Sequence, residues 1–78
     1  MHSFQVNLQS VEDVRDFVTA ASAIDCDIDV FSGRYLVDAK SIMGIFSLNL
    51  SKPLTVQVHG TLEETAALRQ AVSTLLLA

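Results

Sequence analysis

The 78-residue sequence has no Trp, one Cys, one Pro and three Gly, and only five Lys and Arg stand against nine Asp and Glu. Each shortage excludes something. The lone Cys26 can close no internal disulfide and can supply no thiolate zinc site. Small secreted domains usually carry several bridges, so the reducing cytoplasm is the expected compartment. A formal charge of −4 leaves no basic stripe to neutralise a phosphate backbone, which argues against a nucleic-acid partner. No apolar run approaches the ~20 residues of a spanning helix, so no membrane partner is expected, and residues 1–9 alternate polar and apolar rather than forming the apolar block of a signal peptide. Glycine and proline are too sparse for a linker, and residues 1–78 read as a single domain. A chain of this length buries roughly 60% of its unfolded surface, too small a core for a deep catalytic pocket, so neither enzyme activity nor a cofactor is expected.

What is present is hydrophobic periodicity, since half of the residues are apolar. Phe4, Val6 and Leu8 alternate with polar residues, as a half-buried strand does. Ser10 then stands as an N-cap before Val11, Val14, Phe17, Val18 and Ala21 at helical spacing, predicting a helix to about Ser22 or Ala23. Cys26, Ile28 and Val30 mark a second strand, Ser32 and Gly33 a turn, and Arg34 to Val37 a third strand. Ser41 opens a short helix with Ile42, Ile45 and Leu48 at spacings of three, although Gly44 inside it costs about 1 kcal/mol relative to Ala. Leu54, Val56 and Val58 form a fourth strand ending at Gly60, and Thr61 with Glu64 makes a capping box for a last helix. That helix carries Leu68, Val72 and Leu75 on one stripe and is expected to continue to Ala78. The order β-α-β-β-α-β-α, with clean alternation in the strands, predicts an α+β two-layer open sandwich. Its four-stranded, mostly antiparallel sheet has three helices on one face and water on the other.

The run Val37-Asp38-Ala39-Lys40-Ser41-Ile42-Met43-Gly44-Ile45-Phe46-Ser47-Leu48 resembles the central signature of the HPr family, the phosphocarrier proteins of the bacterial phosphoenolpyruvate-dependent sugar phosphotransferase system. The resemblance extends upstream through Ala21-Ser22 and Asp27-Ile28 and downstream to His59-Gly60, and it implies the HPr-like open-faced sandwich. Family members take a phosphoryl group from enzyme I on a His that is followed by Ala-Arg-Pro at the start of the first helix. Counting back from Ala21-Ser22, the position of that His is Ser10, and those of Arg and Pro are Glu12 and Asp13. The resemblance therefore implies a divergent member without the relay His, similar to the catabolite-repression HPr homologues, with no catalytic residue. The alternative is a diverged HPr-fold interaction module with partners outside sugar transport.

Three further expectations follow from the resemblance. Ser41 aligns with the family's regulatory serine, the target of a dedicated HPr kinase; a helix cap needs a serine there in any case. Ile42, Met43 and Phe46 resemble the family's docking patch, with Ile45 and Leu48 left to fill the buried stripe. The partners implied are HPr kinase or a carbon-catabolite transcription regulator. Outside the resemblance, His59 lies on the polar phase of its strand and His2 near a loose terminus. Asp25, Asp27 and Asp29 read as the wet side of a strand, because the Gly and Glu of a calcium loop are Val30 and Leu36 here. Cys26 falls on the apolar phase as a small buried hydrophobe, and no metal site is expected.

Overall fold

The computed structural model describes residues 2–76. Four strands, β1 (His2–Val6), β2 (Asp27–Ser32), β3 (Tyr35–Asp38) and β4 (Leu54–His59), form one sheet in the order β1-β4-β2-β3. Every pairing is antiparallel: Phe4 faces Val56, Ile28 faces Val58 and Val30 faces Val37. Because β4 lies between β1 and β2, those two strands run in the same direction. Their connection must cross the sheet, and helix α1 (Val11–Ser22) makes that crossing. Helix α2 (Ile42–Phe46) does the same between β3 and β4. Helix α3 (Leu62–Ala71) follows β4.

The alternation seen in the sequence is the division of the sheet into two faces. Phe4, Val6, Ile28, Val30, Leu54, Val56 and Val58 are buried on the helix side with Val14, Phe17, Ala21, Ile45 and Leu68. Ser3 and Gln5 are exposed on the other side. At ~1.5–3 kcal/mol for each large side chain taken out of water, this one cluster dominates the stability of the fold.

Four expectations shift in detail. The hairpin turn is Gly33-Arg34 rather than Ser32-Gly33, because Gly33 takes φ +61° at the first turn position, a backbone conformation that suits glycine. Strand β3 accordingly starts at Tyr35, and Cys26 precedes β2 instead of belonging to it. His2 is not loose but sits in β1 opposite Val58. The last helix does not continue to Ala78. Helix α3 stops at Ala71, Val72 leaves the helical region (φ −111°, ψ 26°), and Ser73–Leu75 form a single 3-10 turn. Leu76 then bridges Val6, and the Asn7 N–H donates to the Leu75 carbonyl at 2.8 Å, so the chain end closes over the edge of β1. Leu77 and Ala78 lie outside the described residues.

Candidate functional site

Two helix starts carry the residues that the sequence singles out. At the first, Ser10 is the N-cap of α1, with extended backbone (φ −143°, ψ 166°), and its Oγ accepts the Asp13 N–H at 3.1 Å. The Asp13 carboxylate reaches back in turn, accepting the Gln9 N–H through Oδ2 at 2.9 Å. The side chains of Glu12 and Asp13 both belong to the first turn, where carboxylates interact favourably with the helix dipole. The arrangement explains why α1 begins where it does. It also engages the Gln9 N–H, one residue before the cap, with a carboxylate of the chain itself.

At the second, Ser41 is the N-cap of α2 (φ −104°, ψ 106°), its Oγ accepting the Gly44 N–H at 3.1 Å. Ser41 is exposed. The turn that leads into it is held by Asp38, whose Oδ1 accepts the Lys40 N–H at 2.9 Å and whose carbonyl accepts the Ser41 N–H at 3.0 Å. Gly44 is the residue whose role only the structure reveals. A Cβ there would lie 3.2 Å from both Ser41 Oγ and Val37 Cβ, so its absence lets α2 seat against β3 with the cap in place.

The short helix divides its side chains as its spacing predicts. Ile45 of the helix is buried, as is Leu48 just beyond the Ser47 C-cap, whereas Ile42, Met43 and Phe46 keep 37%, 76% and 40% of their surface in water. Phe46 also lines a groove of about 440 Å³ with Leu8, Ser10, Val11 and Leu50. The groove brings the two helix starts together: Ser10 and Val11 from α1 share it with Phe46 from α2. Exposed Val11 thus extends the apolar surface, a residue that sequence reasoning assigned to the buried stripe of α1.

The comparisons with known proteins now bear on this arrangement. The family model described as "PTS HPr component phosphorylation site" matches residues 13–77. The chain belongs to the HPr family. Among solved structures, HPr-C-His from Thermoanaerobacter tengcongensis superposes with a TM-score of 0.77 at 26% identity, covering 95% of this chain and 93% of that one. The phosphocarrier protein HPr of Bacillus anthracis gives 0.71 at 26%, with 94% of each chain covered. The catabolite-repression protein Crh of Bacillus subtilis, described as a swapped, intertwined dimer, gives 0.66 at 26%, covering 94% of this chain and 88% of that one. No curated protein sequence matches the chain.

The remaining residues of this HPr-family chain lie apart from the groove. His59 Nε2 is 2.8 Å from Asp29 Oδ2, a pair that joins β4 to β2 across the open face of the sheet. Nothing local in the sequence indicates it, since the two residues are 30 positions apart and meet only through the β2–β4 register. Asp27 and Asp38 lie around the same shallow depression. Among the described residues no three His, Cys, Asp or Glu side chains gather as a metal ion requires. Cys26 is partly buried against the core. Burial, reinforced by the nearby Glu64 carboxylate, pushes its thiol above the ordinary 9.0. Among the described residues no helix is long and apolar enough to cross a membrane.

Proposed function

We propose that this HPr-family chain is a single regulatory domain of the phosphotransferase system that binds protein partners through α2 and relays no phosphate through histidine. The carrying observation is the start of α1. Counted back from Ala21-Ser22, the relay-His position falls on Ser10, a serine engaged as a cap, with Asp13 holding the adjacent Gln9 amide. A serine phosphate is a stable ester, poorly suited to fast reversible transfer. A dianionic group there would also meet Glu12 and Asp13, each like-charge contact costing roughly 1 kcal/mol or more before screening.

What supports docking is the exposed apolar trio Ile42, Met43 and Phe46, continued by Val11 across the groove. Such a patch on a small protein fits a partner surface. Ser41 adjoins it with an exposed hydroxyl. A phosphate on Ser41 would add ≈ −1.5 to −2 charge beside Ile42 and change which partners the patch accepts. In this reading the chain is no enzyme, needs no cofactor and works in the cytoplasm. Its partner is an HPr kinase or a regulator of carbon-catabolite transcription.

Incubation with ATP and an HPr kinase, read by intact mass, tests the switch. Wild type gains one phosphoryl group and Ser41→Ala gains none. No gain on wild type, with a complete HPr labelled in the same tube, would leave Ser41 a plain helix cap.

A further inference from the structure

The outer edge of β3 is used by nothing described above. β3 ends the sheet, with β2 on one side only. In a two-residue hairpin the closing pair, here Ser32 and Tyr35, exchanges backbone hydrogen bonds. Alternation then turns the amides of Tyr35 and Val37 toward β2, and the Ala39 N–H, donating to the Ile28 carbonyl at 2.9 Å, continues that inward set. The N–H and C=O of Leu36 are therefore directed outward, on a strand whose Leu36 side chain is 53% exposed and whose Tyr35 is 68% exposed. An open apolar edge of this kind is a template for another strand.

The charges along the strand say which one. Asp38 stands directly opposite Asp29 in the sheet, an unfavourable like-charge pair. Among the described residues neither Asp38 nor Arg34 has an ion-pair partner within the chain. We propose that two copies of this chain pair antiparallel through β3 about a two-fold axis at Leu36. In that register Leu36 lies opposite the partner's Leu36, Arg34 opposite the partner's Asp38, and Tyr35 opposite the partner's Val37. The Leu36 amide donates to the partner's Leu36 carbonyl and its own carbonyl accepts in return. Phe31, paired with Leu36 on the open face, extends the apolar row into both sheets. Arg34 sets a cation opposite Asp38, which has none within the described residues, whereas Asp29 already meets His59 Nε2 at 2.8 Å. The strand is self-complementary: its acid and its base are equally spaced about its central leucine. With only four residues in β3 the contact is small, and the dimer forms in a concentration-dependent equilibrium.

Sedimentation across a concentration series tests the proposal. Wild type shows a monomer–dimer equilibrium, and Leu36→Lys, which sets two ammonium groups face to face, weakens it about tenfold or more. Arg34→Glu and Asp38→Lys each weaken it, the double variant R34E/D38K regains it, and a mixture of the two single variants forms the heterodimer. Asp38 also accepts the Lys40 N–H, so D38K is read only with an unchanged circular dichroism spectrum. L36K removes no such bond and decides the matter by itself otherwise. Wild type that stays monomeric up to about 1 mM would overturn the proposal. So would a dimer indifferent to L36K, or a well-folded double variant that fails to recover.

Discussion

At the scale of single residues, Ser10 and Ser41 do the same local work in different surroundings. Each hydroxyl accepts the N–H three residues ahead, at 3.1 Å in both cases. Ser10 closes a helix of twelve residues, whereas Ser41 closes one of five, so the first cap holds more structure in place. Ser10→Ala should lower unfolding stability by about 1 kcal/mol, and Ser10→Asp should keep most of it, because aspartate caps as well as serine. Urea denaturation of the three proteins measures both changes. If Ser10→Ala left the midpoint unmoved, the hydroxyl would not be engaged as described, and its unfitness as a phosphate carrier would lose one of its supports.

At the scale of elements, α2 sets one buried residue, Ile45, against an exposed apolar side formed by Ile42, Met43 and Phe46. Ile45 holds it to the core, so a change on its outer side should leave folding alone. Met43→Glu is expected to shift stability by no more than about 0.5 kcal/mol, as exposed substitutions do. The same change should slow phosphorylation of Ser41 by an HPr kinase, because a carboxylate enters the apolar patch. Kinase rates alongside denaturation midpoints check the two halves of that expectation. Equal rates for wild type and variant would remove Met43 from the docking surface.

The elements also show where reading a sequence succeeds. Strands β1 and β4 were legible because one face is buried and the other wet, which writes a period of two into Phe4-Val6 and Leu54-Val56-Val58. The caps Ser10, Ser41 and Thr61 were legible because capping is a local hydrogen bond. The end of α3 was not: Leu68, Val72 and Leu75 are all buried and fit a continuing helix, yet the last turn tightens so that Leu76 can reach Val6. That reason lies 70 residues upstream. The pairing of His59 with Asp29 and the close approach of Val37 to Gly44 depend in the same way on non-local contacts. The outward placement of Ile42, Met43 and Phe46 was legible from the spacing, although α2 has only five residues and Leu48, expected in its buried stripe, is buried beyond the Ser47 C-cap.

At the scale of the whole molecule, one core carries the fold and one thiol ties it to pH. Cys26 packs against the core, where desolvation first and Glu64 second raise its pKa above 9.0. A Cβ on Gly60 would come within 2.7 Å of its sulfur, so the surroundings are tight. The folded state holds this proton more firmly than the unfolded chain does. Its contribution is therefore fully present below the unfolded pKa and is lost as pH rises through the folded one. Urea midpoints should fall between neutral pH and about pH 10, and Cys26→Ala should flatten that slope. A slope unchanged in the variant would assign the alkaline loss to other groups.

Transfer from phosphoenolpyruvate tests whether the chain, as proposed, relays no phosphate. Purified chain, enzyme I and labelled phosphoenolpyruvate are mixed, with a complete HPr in a parallel reaction. Label is expected on the control HPr and none on this chain. Ser10→His alone should restore little, because Glu12 and Asp13 remain, whereas Ser10→His with Glu12→Arg and Asp13→Pro should accept label. Stable or transient label on the wild-type chain, at Ser10, His59 or any other residue, would make the protein a phosphocarrier in its own right and overturn the proposed loss of the relay.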